Sequence, residues 1–270
     1  MRIISPLPHH IPMLRSLWQE AFGDTDEFLD TFFEHAFSPA RCRCITIDGQ
    51  IVAALYWFTC EYVDKPVAYI YAVSTAKSHQ RQGLCHELME DTHAHLAVLG
   101  YTGAVLVPGS KDLFEFYGTL GYKTCSYIHT LHCQSADIDG NLNLDLHCIN
   151  QTEYAKLRRK FLPHGSVIQE NENLDFLETQ VKFYAGTGFL LAAQVTSDML
   201  WGVELLGDAT FAPQIVQALG CKKGSFRLPC YNINHADCHN TDGCDTAFAM
   251  YRPLCSDTLP PPSYFGFAFD

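Results

Sequence analysis

The 270-residue chain lacks an excess of basic residues: 18 Lys and Arg stand against 30 Asp and Glu, a formal net charge of −12. Basic residues drive nonspecific nucleic-acid binding, so this balance removes its usual electrostatic basis. No apolar run approaches the roughly 20 residues that cross a bilayer. Hydrophobic residues make up 47% and charged residues 18%, which excludes general disorder. We expect a globular protein whose partners are neither membranes nor nucleic acids.

The first ten residues also lack the apolar run and cleavage site of a secretory signal, so we expect a cytoplasmic protein. Its 12 Cys would then be reduced, and most would be buried as small hydrophobic residues. A cluster of thiols and imidazoles near the C-terminus matches none of the compact zinc spacings. A polar loop is the favoured interpretation, zinc the alternative, and no metal site is predicted. The cluster consists of Cys230, His235, Cys238, His239 and Cys244.

The first half of the sequence alternates between helical and strand periodicities. Apolar residues at helical spacing predict helices over 11–22 and 25–37. An Asp-Gly pair at 48–49, between two β-rich runs, predicts a hairpin of strands 42–47 and 51–62. The same patterns predict further strands over 67–74, 102–107 and 122–133, and further helices from 83 to about 98 and over 110–120.

The second half follows a linker that is dense in turn-forming residues, 135–145, so we predict domains over 1–134 and 135–270. The order of its elements repeats that of the first half, and we interpret it as a diverged structural repeat. The predicted helices are 152–161, 174–184 and 211–219, and the predicted strands are 188–195, 199–206, 225–231, 247–252 and 264–269.

The segment 69–89 carries the strongest functional signal. A predicted strand ends near Ser74, a short loop crosses 76–82, and a helix begins at about Gly83. Free backbone N–H groups and the positive end of the helix dipole converge at such a junction. The sequence therefore predicts an anion site, suited to a phosphate, that needs no basic side chain.

Residues 80–85, Gln-Arg-Gln-Gly-Leu-Cys, resemble the Gln/Arg-x-x-Gly-x-Gly/Ala loop of the GCN5-related N-acetyltransferase (GNAT) superfamily. That loop binds the pyrophosphate of acetyl-coenzyme A (acetyl-CoA). Cys85 departs from the Gly or Ala of the last position, although a thiol is small. Residues 116–122 are similar to the Phe-Tyr-x-x-x-Gly-Phe/Tyr segment of the same superfamily. The two motifs occur in the order that the family has.

The resemblance implies an α/β (α+β) fold: a mixed, mostly antiparallel GNAT sheet flanked by helices, with acetyl-CoA as co-substrate. It implies that Tyr117 protonates the leaving thiolate, a step suited to a phenol of pKa near 10. It also implies that the strand edge near Val73 binds pantetheine, and that the Val73 N–H polarises the acyl carbonyl. The implied coenzyme-binding residues are Ala72, Val73, Ser74, Gln80, Arg81, Gln82, Gly83, Leu84, Cys85 and Tyr117.

A general base for the acceptor amine is harder to assign. Glu61, at the end of the predicted strand 51–62, is the candidate, with an exposed strand-end carboxylate as the alternative. Four aromatic residues could wall an acceptor cleft or simply form core. They are Trp57, Tyr62, Tyr69 and Tyr71.

The second half has no counterpart of the phosphate loop. The matching stretch, 207–213, lacks the motif, and Asp208 at its helix start would repel a phosphate. We therefore expect a second, smaller, degenerate GNAT-like domain that binds no coenzyme and covers the acceptor cleft. Its candidate residues for that surface, each with a structural role as the alternative, are Trp201, Glu204, Phe265 and Phe267.

Together these features predict an acetyl-CoA-dependent N-acyltransferase that acetylates an amine of a small molecule or peptide by direct attack on the thioester. Two alternatives stay open. A non-catalytic acyl-CoA sensor or scaffold is suggested by Cys85 and by the missing base. Aminoacyl transfer by a tandem arrangement of the same fold is disfavoured by the charge of −12.

Overall fold

The computed structural model describes residues 1–136, 144–230, 246–255 and 259–268. Most of the predicted linker therefore lies outside the described residues, as do all members of the Cys/His cluster except Cys230. The chain divides into two compact units, and each takes segments from several parts of the sequence. The first unit is Met1–Lys123, Asn171–Phe176 and Met250–Pro261, and the second is Thr124–Glu170, Leu177–Ala249 and Pro262–Asp270.

The first unit contains a mixed sheet in the order β1-β2-β3-β4-β5-β13. Strands β1 to β4 are antiparallel neighbours, whereas β4 and β5 run parallel. The elements are β1 (Arg2–Ile4), α1 (Ile11–Phe22), α2 (Asp26–His35), β2 (Cys42–Ile47), β3 (Gln50–Tyr62), β4 (Lys65–Thr75), α3 (Leu84–Val98), β5 (Gly103–Leu106), α4 (Lys111–Thr119) and the end of β13 (Thr246–Pro253).

Helices α1 and α2 cover one face of this sheet through a cluster of aromatic rings. Helix α1 ends at Gly23, whose φ of 76° is the left-handed conformation that glycine adopts at helix ends. The Thr25 hydroxyl then caps α2 by accepting the Phe28 N–H at 3.3 Å. The cluster joins Trp18, Phe28, Phe32, Tyr56, Phe58, Tyr69, Tyr71 and Phe176.

Helix α3 covers the opposite face. Its residues Leu88, Met89 and Leu96 are fully buried and pack with Ile70 and Ala104 of the sheet. Side chains alternate between the two faces of a strand, so Ile70 faces α3 while its neighbours Tyr69 and Tyr71 face the aromatic cluster.

Strand β13 extends the first sheet by pairing its end with β5, Met250 opposite Leu106 and Pro253 opposite Gly103. A side chain at residue 103 would lie 2.3 Å from the Tyr251 ring. Glycine is thus required at this position for the two strands to lie this close.

The second unit contains a sheet in the order β6-β12-β11-β10-β9-β7. Three of its features have the same order and strand directions as features of the first unit. The β10–β11 hairpin corresponds to β3–β4, helix α7 to α3, and the parallel pair β11–β12 to β4–β5. The predicted structural repeat is therefore confirmed in its topology. The elements are β6 (Lys123–Gln134), β7 (His147–Ile149), α5 (Gln151–Phe161), β8 (Ile168–Gln169), β9 (Lys182–Gly186), β10 (Phe189–Val195), β11 (Met199–Gly207), α7 (Ala212–Ala218) and β12 (Lys223–Pro229).

Two elements predicted in the second half were wrong. The predicted helix 174–184 is a short helix, α6 (Glu172–Glu178), followed by β9, because the later residues pair with β10 and β7. Strand pairing outweighs the local helical spacing there. The predicted strand 264–269 makes one isolated bridge, Ser166 with Tyr264, within the described residues. Its Phe265 N–H donates instead to the Ser126 hydroxyl.

The boundary between the two units also differs from the predicted one at 134. Strand β6 lies in the second unit from Thr124 onward, and its residues from Ile128 to Gln134 pair with β12. Among the described residues, no helix has the length and apolarity that a membrane crossing requires.

Candidate functional site

Strand β4 is interrupted by a bulge at its carboxyl end. Tyr71 pairs with Tyr56 and Ser74 with Ala54, so Ala72 and Val73 both oppose Leu55. Ala72 has a φ of 49°, a left-handed conformation that is uncommon for a residue with a side chain. Because the bulge adds one residue to the alternation of side chains along β4, the Val73 side chain lies on the α3 face, where it packs on the core. Bulges redirect main-chain groups and end regular pairing.

Strands β4 and β5 separate just before this bulge. Their pairing covers only Val67 to Tyr69 on β4 and Gly103 to Val105 on β5. From Tyr71 onward, the edge of β4 on the β5 side is without a neighbouring strand in the described residues. Main-chain groups at such an edge can bind an extended ligand that carries amides.

The loop after β4 brings main-chain amides to the start of α3. A short 3₁₀ turn, Lys77–His79, is held by the Lys77 N–H, which donates to the Glu20 carboxylate at 3.1 Å. Arg81 and Gly83 have positive φ of 60° and 82°. A Cβ on residue 83 would meet no atom within 4 Å, so this glycine serves the turn and leaves its outer side open. The first amides of α3 lack partners within the helix and point toward that opening.

A cavity of about 340 Å³ lies at this opening. Its walls combine polar loop residues with apolar side chains of α4, which suits a ligand that has both charged and apolar parts. Burial raises the pKa of the Cys85 thiol in its wall to about 11, so the thiol stays neutral at pH 7. The lining residues are Thr75, His79, Gln80, Arg81, Gly83, Leu84, Cys85, His86, Leu113 and Phe116.

Tyr117 lies beside this cavity on α4, next to Phe116. It is 7% exposed, and its hydroxyl has no hydrogen-bond partner within the part of the chain that the structure describes. Burial, and then the neighbouring Cys85, raises the pKa of Tyr117 well above its usual range. The phenol therefore stays protonated at pH 7 and can act as a proton donor.

Five of the predicted coenzyme residues line the cavity: Gln80, Arg81, Gly83, Leu84 and Cys85. Others have side chains that bond within the loop and the sheet. Gln82 donates to the Ser78 carbonyl at 3.4 Å, and the Ser74 hydroxyl donates to the Ala54 carbonyl at 3.4 Å. Ala72 and Val73 form the bulge described above, so any role of these two in binding belongs to their main chain.

Glu61 is not brought together with these residues. It pairs with Pro66 beside the β3–β4 turn, at the opposite end of the hairpin from the bulge. Leu55, which faces the bulge, is about 20 Å away along the strand. In an antiparallel hairpin the end of one strand lies beside the start of the next, so Glu61 is far from the carboxyl end of β4. Of the four aromatic candidates, Trp57 faces α3, and Tyr69 and Tyr71 belong to the opposite cluster.

Asp24 is a site residue that sequence reasoning did not single out. Thr25, not Asp24, caps α2, which leaves the Asp24 carboxylate at the turn between α1 and α2. One carboxylate oxygen accepts the Trp18 indole N–H at 2.7 Å, and the Trp18 ring contacts Tyr71, the residue before Ala72. Burial, and then Asp24, raises the pKa of Tyr71. The sequence feature that could have pointed to Asp24 was an acidic residue at the end of one helix and just before a second, aromatic-rich helix.

At the matching position of the second unit, Asp208 caps the turn Ala209–Phe211. Asp208 accepts the Thr210 N–H at 2.9 Å and its hydroxyl at 2.6 Å, so a carboxylate occupies the start of that turn. Glu204, Phe265 and Phe267 are fully buried rather than at a surface, whereas Trp201 is 48% exposed. Across the described ranges, no three His, Cys, Asp or Glu side chains are placed to hold a metal ion.

Comparison with known proteins identifies the first unit. The acetyltransferase (GNAT) domain family matches residues 8–125, which include the bulge, the loop, α3 and α4. These residues, a little under half of the chain, are thus similar to the GNAT acetyltransferase domain. No curated protein sequence matches the chain.

Solved structures share the GNAT fold over nearly the whole chain. A GCN5-related N-acetyltransferase from Anabaena variabilis is 14% identical with a TM-score of 0.73, over 94% of this chain and 73% of that one. Another, from Kribbella flavida, is 14% identical with a TM-score of 0.69, over 93% and 70%. The mixed, largely antiparallel fold that the resemblance implied is confirmed, and both GNAT-like units lie within the matched region.

Proposed function

We propose that this protein is an acyl-CoA-dependent N-acyltransferase that transfers an acetyl group from acetyl-CoA to an amine of a small molecule or peptide. The observation that carries the proposal is the meeting of three features at one end of β4. These are the unpaired edge beyond Tyr69, the bulge at Ala72, and the cavity at the start of α3. A phosphate-bearing coenzyme with an amide-containing arm fits all three.

The residues of the GNAT domain have distinct tasks in this proposal. The main-chain amides from Gly83 to Cys85 bind the pyrophosphate, and the edge of β4 near Ser74 binds the pantetheine amides. The Val73 N–H, displaced from regular pairing by the bulge, polarises the acyl carbonyl. Tyr117 then protonates the leaving thiolate. Leu113 and Phe116 supply apolar contact along the coenzyme.

Asp24 is the proposed general base. An alkyl amine reaches neutral solution as an ammonium ion and must lose a proton before it attacks the thioester. Asp24 lies on the face of β4 opposite α3, held by Trp18 and within electrostatic reach of Tyr71. Its second carboxylate oxygen has no hydrogen-bond partner among the described residues. A carboxylate among aromatic rings also attracts a cationic amine.

Calorimetry with acetyl-CoA, followed by thiol release with a panel of amines, tests the proposed function. We expect saturable binding of acetyl-CoA and amine-dependent release of CoA. The expected displacement of acetyl-CoA by CoA provides a control for specific binding. Absence of binding at millimolar acetyl-CoA would overturn the proposal. Binding without turnover by any amine would favour the sensor or scaffold alternative.

Replacing Asp24 with Asn tests the general base. Asn keeps an oxygen for the Trp18 indole but removes the charge, so we expect kcat/KM for the amine to fall about a hundredfold. The dissociation constant of acetyl-CoA should change less than twofold, because Asp24 lies on the other face of β4. Asp26→Asn is the matched control, since that exposed carboxylate pairs with Arg15 and accepts from the Gln19 side chain. Equal rates for the two variants would exclude Asp24 as the base.

A further inference from the structure

A buried hydrogen-bond chain lies beside Tyr117 on the α3 face of the first unit. Arg252 Nη1 lies 2.7 Å from His93 Nδ1, and His93 Nε2 lies 2.8 Å from the Tyr122 hydroxyl. Both His93 and Tyr122 are almost fully buried. Tyr122 is coupled to Tyr117 in two ways. Its N–H donates to the Tyr117 carbonyl at 3.1 Å, and the two rings meet edge to face with centroids 5.9 Å apart.

The arginine fixes the direction of these hydrogen bonds. A guanidinium has only donors, so His93 Nδ1 must accept. The single N–H of the neutral imidazole is then on Nε2, and it donates to the Tyr122 oxygen. Burial, and then the charge of Arg252, lowers the pKa of His93 to about 4, so the ring is neutral at pH 7. The Tyr122 hydroxyl proton is consequently available to a further acceptor.

Tyr117 is the neighbour that needs such a donor in the proposed reaction. When Tyr117 protonates the coenzyme thiolate, its O–H bond breaks, an S–H bond forms, and the negative charge passes to the phenol oxygen. Solvent water returns the proton after the thiol has left. A buried phenolate is costly without a hydrogen-bond donor. Among the described residues whose rings contact Tyr117, Phe116 has no polar atom and Tyr122 has a hydroxyl.

We propose that Arg252 and His93 are positioning residues that direct the Tyr122 hydroxyl proton toward Tyr117 and thereby stabilise its phenolate during acyl transfer. The inference rests on the proposed function, because it assumes that Tyr117 is the acid. Glu90 orients Arg252, since its two carboxylate oxygens accept from both terminal nitrogens of the guanidinium. The sequence alone indicated no role for His93.

Nitrogen NMR of histidine-labelled protein tests the direction of the chain without any substrate. Glu90 of α3, Arg252 of β13 and Tyr122, the residue before β6, are the titratable groups that face His93. We expect His93 to be the Nε2–H tautomer and not to titrate between pH 5 and 8. In Arg252→Met the Glu90 charge remains and the opposing cation is gone, so His93 should titrate in that range. An Nδ1–H tautomer in the wild type would overturn the proposal.

Kinetics test the link to Tyr117. We expect Tyr122→Phe and His93→Leu to lower kcat about tenfold, with the dissociation constant of acetyl-CoA changed less than twofold. His93→Gln should retain most activity, because its carboxamide offers an acceptor to Arg252 and a donor to Tyr122. Adding Tyr122→Phe to Tyr117→Phe should cost no further rate, since both act through one phenolate.

The outcomes separate this inference from the proposed function. Wild-type kcat in Tyr122→Phe, or a full tenfold loss on top of Tyr117→Phe, would overturn the positioning role while leaving the transferase intact. An inactive wild type would overturn both the proposed function and the kinetic role of the chain, and the NMR result would then describe a structural network only. Thermal denaturation of each variant distinguishes lost rate from lost fold.

Discussion

Replacing Tyr117 with Phe is expected to lower kcat for acetyl transfer roughly a hundredfold. The phenol is buried beside Cys85 and the cavity at the start of α3, and burial keeps it protonated at pH 7. Phe fills the same space in the α4 core but cannot give a proton to the departing thiolate. Acetyl-CoA should bind with a dissociation constant within twofold of the wild type. Rapid measurement of thiol release, together with calorimetry, separates the two quantities.

Two controls make this result specific to proton donation. Tyr101→Phe removes a phenol whose hydroxyl bonds Thr59 at 2.7 Å, away from the cavity, and should leave kcat unchanged. The thiolate of a more acidic thiol needs less protonation as it leaves. The transfer rate from an acetyl thioester of such a thiol should therefore fall less in Tyr117→Phe than the rate from acetyl-CoA does. Equal losses with both thioesters would show that Tyr117 acts through packing and not as an acid.

Replacing Glu204 with Leu is expected to lower the free energy of unfolding by about 3–5 kcal/mol. Glu204 is fully buried in the second unit, where it binds Arg158 at 2.7 and 2.9 Å. The hydroxyls of Tyr154 and Tyr264 also donate to it, at 2.8 and 3.0 Å. Without the carboxylate, the buried Arg158 guanidinium loses its counter-ion and two buried hydroxyls lose this acceptor. Urea denaturation followed by circular dichroism measures the loss.

The double variant Arg158→Leu, Glu204→Leu should recover most of that loss, because it leaves no uncompensated buried charge. Glu170→Leu is the surface control: its pairing with Arg159 is partly exposed, so it should cost less than about 1 kcal/mol. A Glu204→Leu variant no less stable than this control would show that the buried network contributes little to the second unit.

The parts of the fold set by local chemistry were predictable from the sequence. Helix α1 begins and ends where its apolar spacing and Gly23 indicated, and the hairpin turn at 48–49 lies where Asp-Gly was found. The loop at 80–85 was recognisable because a strand end, a glycine with positive φ and a helix start are consecutive in the chain. All of these depend on neighbours within a few residues.

Features set by distant partners were not predictable. Residues 182–186 have helical spacing with the segment before them, yet pairing with β10 makes them a strand. Asp24 gains its surroundings from Trp18 and Tyr71, which meet only in the folded sheet. Burial, and then Arg252, 159 residues later, lowers the pKa of His93. The position of Glu61 is a different case, since the predicted hairpin already placed it at the wrong end of β4.

Two later segments of the sequence, Asn171–Phe176 and Met250–Pro261, belong to the first unit, and this affects folding during synthesis. During synthesis, the loop at 76–82 and α4 leave the ribosome before β13, the strand that pairs with β5, has been translated. The first unit is therefore completed late, although its motifs are translated first. A gene fragment that stops after residue 134 would encode every recognisable motif and still lack the strand and the arginine that complete the unit.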